Sequence, residues 1–272
     1  MMGGISANTG KTQELKQGLA GLRQACINAF QHRVYMNLRQ LVLHGESAKV
    51  NGNTSRKPKP ARGPEMSQIL LYGMGESGNS YKAALMLELC GLDWKPIHVE
   101  FFNGETRTPK FRQEVNELGE VPVLVDGDLK LTQSGVILDY LSEKTGKFGG
   151  STPDERREIL RWTLFDNHKF TSYIATLRYM IALMKMPENP VTEFLRGRIN
   201  GSIKILDGHL ATRKFLLGDK PTTADLSMVG YLFYEGELPF EIPANVIAWR
   251  ERIRALPRWK HPYELMKRAK LD

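Results

Sequence analysis

From residue 69 onward, the apolar positions of the chain fall into blocks of two different periods. Ile69-Leu70-Leu71-Tyr72 is a continuous apolar run ended by glycine, the pattern of a short buried strand. A Gly-rich turn follows. Ala83 to Cys90 then reads as a helix with Ala83, Ala84 and Leu87 on one side and Gly91 as its C′ residue. Between Trp94 and Phe101, Ile97, Val99 and Phe101 alternate, which predicts a second strand. After a polar loop, Pro109 opens a short helical turn reaching Asn116, at a position where its missing N–H costs nothing. Val121-Pro122-Val123-Leu124-Val125 reads as a third strand. Asp126-Gly127-Asp128 turns it back, the Asp-Gly step suiting a type I′ hairpin, into the returning strand Leu129 to Leu131. Thr132-Gln133-Ser134 starts another helix, with Val136, Ile137, Tyr140 and Leu141 on its apolar face and its end near Gly146.

Beyond the glycine-rich connector 147–152 the period becomes helical throughout. Ile159, Trp162, Phe165 and Lys169 recur at three- and four-residue steps in a long helix that begins at Pro153 and runs, with a break, to Met184. Pro187 and Pro190 end it. The next helix carries Val191, Leu195, Ile199, Ile203, Leu206 and Leu210 on one stripe. Thr222-Thr223-Ala224-Asp225 has the form of a capping box ahead of a further apolar helix. Two more helical segments, Pro243 to Ala255 and one ending at Lys270, complete the chain. The predicted architecture is thus a β-α-β-α-β-β-α unit over residues 66–146 and an all-helical unit over 153–272.

Residues 1–65 differ from both. They hold ten of the 38 Lys/Arg and three of the 30 acidic residues, so nearly all of the net charge of +8 lies there. The rest, with 28 basic and 27 acidic side chains, is close to neutral, which removes the charge argument for a nucleic-acid enzyme. The polar tract 51–64, rich in Pro, Gly and basic residues, reads as a disordered linker. The expectation is a basic extension without its own fold; an import leader or a polyanion-binding tail is the alternative. No apolar run approaches the ~20 residues of a membrane span. Cys26 and Cys90 form neither a CxxC pair nor part of a metal set, and two such separate thiols suit a reducing cytoplasm. No metal site is expected.

The chemistry concentrates at the first turn. Gly73, Gly75 and Gly78 spell G-x-G-x-x-G between a strand and a helix, and Glu100 stands at the end of the second strand where a ribose-binding acid would be. The continuation argues against a dinucleotide fold: the third strand doubles straight back and the second half contains no strand. The alternative lies in Ser77, Asn79 and Ser80, polar groups at a helix N-terminus, where N–H groups and the helix dipole favour an anion such as a thiolate. Pro122 at a strand entrance suits an irregular entry. A cis Val121–Pro122 bond there would leave the Val121 backbone free to pair with an extended peptide ligand.

At this point the sequence resembles the glutathione transferase family over residues 66–272. The matching pieces are Ser77-Gly78-Asn79-Ser80-Tyr81-Lys82, Asn116 through Leu124, Gln133-Ser134 and Thr222 through Asp225, in the same order and spacing. The turn looks most like the serine-type subclasses. The resemblance implies a thioredoxin-like domain followed by the helical domain of that family, and glutathione as cosubstrate. It implies that Ser77 donates to the glutathione sulfur, that Asn79 and Ser80 are further donors, that Val121 and Pro122 meet the peptide, and that Gln133 and Ser134 hold the γ-glutamyl end. Most members of that family have an acid where Gln133 stands, and many have Lys or Gln where Glu120 stands. Arg107 or Lys110 is then the candidate partner of the glycyl carboxylate. The first long helix of the second domain would line the electrophile site, with Trp162, Phe165, Asn167, Tyr173 and Arg178 as candidates.

The implied activity is conjugation of the glutathione thiolate to small hydrophobic electrophiles, a detoxification chemistry, by a cytoplasmic homodimer. Glutathione-dependent disulfide reduction, peroxide reduction or isomerisation on the same fold remains open, as does a non-catalytic interaction module.

Overall fold

The computed structural model describes residues 68–269; the expectations for residues 1–65 lie outside that range. Four strands form one sheet in the order β2-β1-β3-β4: β1 (Ile69–Gly73), β2 (Trp94–His98), β3 (Val123–Asp126) and β4 (Leu129–Thr132). β2 lies parallel to β1, and Leu71 pairs with Pro96, so the proline sits on an edge strand where no ladder bond is lost. β3 runs antiparallel to both β1 and β4. This mixed sheet is incompatible with the parallel crossovers of a dinucleotide domain.

Helix α1 (Gly78–Cys90) is central among the described residues. Sequence periodicity gave it one apolar side, but twelve of its thirteen residues are buried. Strand β1, α3 (Ser134–Thr145), α7 (Thr223–Val229) and α9 (Pro262–Leu265) all pack against it. A helix packed on both faces cannot show an amphipathic stripe. It stops at Gly91 in the left-handed conformation (φ 74°), as expected.

Several local expectations shift. β2 ends at His98, and Phe101 belongs to a turn, because Glu100 and Glu105 pull the chain out of the sheet: the Glu100 N–H donates to the Glu105 carboxylate at 2.6 Å. Helix α2 (Pro109–Glu114) follows, capped by Thr108. In the β3–β4 hairpin only Gly127 has positive φ (60°), the sign pattern of a type II′ turn and not of the expected type I′. On α3, Val136 is half-exposed while Leu138 joins Ile137 and Leu141 in the core.

The long helix from Pro153 is four consecutive pieces: α4 (Pro153–Phe165), a π-helical turn Asp166–Phe170, α5 (Thr171–Arg178) and a second π turn Tyr179–Leu183. Thr152 and Glu155 cap α4 reciprocally. Pro190 belongs to the start of α6 (Pro190–Leu210), where Asn189 and Thr192 form the box, and so it opens a helix instead of ending one. In α7 the Asp225 carboxylate accepts from Thr222 N–H at 2.8 Å and from Trp249 Nε1 at 2.9 Å, tying this helix to α8 (Ala244–Arg254).

The two halves share a buried ionic contact. Lys82 Nζ on α1 donates to Asp166 at 2.6 Å and to Thr171 at 3.0 Å, and Ser227 on α7 donates to the same carboxylate at 2.6 Å. Burial pushes the Lys82 amine down, and Asp166 opposes that shift. The π turn begins at Asp166, a common use of such irregularities.

Candidate active site

The turn between β1 and α1 is shaped by close contacts more than by backbone freedom. None of Gly73, Gly75 and Gly78 has positive φ. A Cβ on Gly73 would stand 2.8 Å from the Ser80 side chain, one on Gly75 would stand 2.8 Å from the Lys267 carbonyl, and one on Gly78 would enter the Tyr231 ring at 2.3 Å. The expected G-x-G-x-x-G pattern is therefore a packing requirement of this turn. Ser77 is the N-cap of α1: its Oγ accepts the Ser80 N–H at 3.1 Å. That bond uses a lone pair and leaves the hydroxyl proton free to donate.

A cavity of about 320 Å³ opens in front of this cap, a size suited to a small molecule. The sheet side contributes Met74, Glu76, Ser77, Asn79, Glu120 and Val121, with Phe101 and Phe102 from the loop after β2. Ala175, Thr176, Arg178, Tyr179, Leu183 and Tyr231 come from the helical side. Phe102 and Tyr179 stack across it with ring centroids 6.4 Å apart and planes 4° from parallel. One end is thus polar and built on a helix N-terminus, and the other is apolar and aromatic.

Arg178, almost wholly buried, fixes the polar end. Nη1 donates to the Glu76 carbonyl at 2.6 Å, Nε to the Glu237 carboxylate at 3.2 Å and Nη2 to the Tyr263 hydroxyl at 3.1 Å; the guanidinium lies 3.8 Å from the Tyr234 ring centre. Burial alone would lower its pKa, and Tyr234, Tyr263 and Glu237 more than offset it, so the cation is kept. Glu76 Oε1 accepts from Ala269 N–H at 2.7 Å, so the C-terminal segment also anchors this loop.

Four of the residues read from the sequence line the cavity: Ser77, Asn79, Val121 and Arg178. Two more stand directly behind it. The Ser134 hydroxyl donates to Asn79 Oδ1 at 3.3 Å, joining the N-termini of α3 and α1, and Gln133 Nε2 donates to Glu120 Oε2 at 3.1 Å. Gln133 holds a positive φ of 68°, and the Val121–Pro122 bond is cis.

Others lie elsewhere. The Ser80 hydroxyl is buried without a partner among the described residues and faces Gly73, because the first helical turn points this side chain back to the sheet. Arg107 is exposed on the short 3₁₀ turn Glu105–Arg107 and is not part of the lining; nor is Lys110 at the start of α2. Trp162 is core: its ring lies 4.6 Å from His209 and 5.5 Å from Phe165. Tyr173 faces Arg198, whose guanidinium lies 5.4 Å from its ring. The π turn at Asp166–Phe170 resets the helix phase, which places Thr176, Tyr179 and Leu183 at the cavity and not Trp162, Phe165 or Asn167. Sequence reasoning missed Tyr231, whose only signal was its place just after the capping-box helix.

Among the described residues there is no group of three or more His, Cys, Asp or Glu side chains placed to hold a metal, and no helix is long and apolar enough to cross a membrane.

Comparison with known proteins agrees with this architecture. The family model for the glutathione S-transferase N-terminal domain matches residues 67–143, and that for the C-terminal domain matches residues 172–257. The chain belongs to the glutathione transferase family. Among curated relatives, glutathione S-transferase F14 of Arabidopsis thaliana is 28% identical over 217 residues, covering 71% of this chain and 85% of the relative. Probable glutathione S-transferase GSTF1 of Oryza sativa subsp. japonica is 27% identical over 209 residues, covering 72% and 95%. A glutathione S-transferase structure from Pseudomonas fluorescens Pf-5 superposes with a TM-score of 0.68 at 29% identity, covering 72% of this chain and 99% of the other. The theta class enzyme of Xanthomonas axonopodis pv. citri, solved with glutathione bound, gives 0.65 at 25% identity, covering 75% and 99%. Within the family, the mixed sheet followed by helices is the shared fold.

Proposed function

We propose that this member of the family is a glutathione transferase that binds glutathione at the α1 N-terminus and conjugates it to small hydrophobic electrophiles. The observation that carries the reading is Ser77: a helix N-cap hydroxyl with a free proton, facing a cavity whose far end is apolar. A thiol with a pKa of about 8.5 is mostly protonated at neutral pH. A hydroxyl donor and the N–H groups at a helix start favour the thiolate, each unit of lowering corresponding to about 1.4 kcal/mol. The thiol proton passes to solvent. The thiolate then forms the C–S bond to an electrophilic carbon held near Phe102, Tyr179 and Leu183, and the leaving group departs with its electron pair.

The γ-glutamyl end of the peptide reaches Ser134 and the Glu120–Gln133 pair, and its backbone pairs with Val121. A hydroxyl at position 77, unlike a cysteine thiol, cannot form a mixed disulfide with glutathione. That favours conjugation over disulfide reduction.

The assembly is read as a homodimer, because Val136, Leu160 and Leu164 are exposed apolar side chains around one groove. Cytoplasmic detoxification of electrophiles fits the free, buried Cys90. Calorimetric titration with glutathione tests the reading: saturable binding at millimolar ligand or below supports it, and no heat of binding at millimolar ligand would instead favour a non-catalytic interaction module.

A further inference from the structure

The sharpest unused feature of the cavity is Tyr231. It comes from the far half of the chain, yet its ring rests on the first residue of α1, so close to Gly78 that no Cβ fits between them. The placement is built from several sides. A Cβ on Gly230 would stand 2.6 Å from the Lys82 side chain and 2.9 Å from the Gly78 carbonyl, so the chain must pass α1 closely just before Tyr231. One turn later the Tyr234 hydroxyl donates to the Gly75 carbonyl at 2.7 Å. The Gly230–Tyr234 segment is thereby clamped to the loop that carries Ser77.

Tyr231 is only 6% exposed, yet it contributes to the cavity wall. Other buried tyrosines spend their hydroxyl protons inside the protein: Tyr81 on the Lys260 carbonyl and Tyr234 on the Gly75 carbonyl. What faces the Tyr231 phenol is of the opposite kind. Burial pushes its pKa up, while the Arg178 cation, the N–H groups of Asn79 and Gly78 and the Ser77 hydroxyl pull it back. The Tyr231 ring and the Ser77 hydroxyl thus line one cavity at the α1 N-terminus, together with the buried Arg178 guanidinium, an arrangement that stabilises an anion.

We propose that Tyr231 is a second hydroxyl donor to the glutathione thiolate, so that the sulfur is held between Ser77 of the thioredoxin-like half and Tyr231 of the helical half. This rests on the glutathione reading above. It makes the ionisation of the thiol depend on correct docking of the two halves, and it places the electrophile on the side of the sulfur away from both hydroxyls.

The test is the pH profile of thiolate absorbance in the glutathione complex and of kcat/KM for chlorodinitrobenzene, for wild type, Tyr231→Phe, Ser77→Ala and the double variant. Tyr231→Phe keeps the ring on Gly78. The expected result is a rise of about one unit in the bound-thiol pKa, with a roughly tenfold loss of rate below that pKa and little change in rate above it. A similar further rise is expected when the substitution is made in Ser77→Ala. Replacing Tyr231 with a ring-fluorinated tyrosine, a stronger donor of the same shape, is expected to lower the thiol pKa. An unchanged thiol pKa in Tyr231→Phe, or a shift that vanishes once Ser77 is gone, would overturn direct donation. Failure of wild type to bind glutathione would instead remove the underlying functional reading.

Discussion

Gln133 Nε2 donates to the Glu120 carboxylate at 3.1 Å, across the gap between the start of α3 and the entrance of β3. Taken one at a time along the chain, these are two departures from the pattern of the family. In space they are one unit: Glu120 lines the cavity, and Gln133 orients its carboxylate. If this carboxylate receives the γ-glutamyl ammonium of glutathione, Glu120→Gln removes the charge while keeping the shape. The expected outcome is about a tenfold weaker glutathione Kd by calorimetry, with a smaller effect on a glutathione analogue lacking the amino group. Equal weakening for both ligands would contradict this role.

The Lys82–Asp166 pair should dominate the coupling of the two halves. Both side chains are fully buried, so Lys82→Met leaves a carboxylate without its cation, at a cost of about 3–5 kcal/mol. Thermal unfolding should fall by about 10 °C. The double variant Lys82→Met with Asp166→Leu should recover much of the loss, since no buried charge then remains. A double variant no better than the single one would place the destabilisation in packing.

The glycine contacts give a graded prediction. A Cβ at Gly78 collides with the Tyr231 ring, whereas one at Gly197 on α6 meets nothing within 4 Å. Gly78→Ala should cost about 1–3 kcal/mol in urea unfolding and reduce the rate of conjugation. Gly197→Ala should be neutral or stabilise by up to about 1 kcal/mol. Similar behaviour of the two variants would contradict the close-approach account of the motif.

Asp126 gives a pH-dependent prediction. Burial pushes its carboxyl up, but the hydrogen bonds from Lys144 and Tyr140 outweigh that and hold it below its ordinary value. A carboxyl depressed in the folded state stabilises fully above its unfolded pKa of about 3.9 and loses that contribution as pH falls through the lower folded value. The stability difference between wild type and Asp126→Asn should therefore be constant from about pH 5 to 8 and shrink at about pH 3. A difference independent of pH would contradict the assignment.

These contacts also mark what the sequence could and could not reveal. Gly91, Pro109 and the Gly127 turn act through their own backbones, and each was legible where it stands. Ser77 stands at the helix N-terminus where the sequence puts it, because a helix start is set by the residues beside it. Val136 is half-exposed and Leu138 buried because α1 packs on one side of α3, and a near-even apolar pattern does not say which side. Extending one helical phase through Asp166 puts Trp162 and Tyr173 at the cavity, and the π turn resets that phase. Tyr231 could not be found locally at all, since its partner is the start of a helix in the other half of the molecule.

On this reading the Ser77 hydroxyl activates glutathione. The most direct measurement of that role is the rate of glutathione conjugation to chlorodinitrobenzene by wild type and Ser77→Ala, with glutathione affinity and thermal stability followed in parallel. A loss of about ten- to a hundredfold in kcat/KM, with the fold retained and binding changed by less, is the predicted result. An unchanged rate in Ser77→Ala would contradict it.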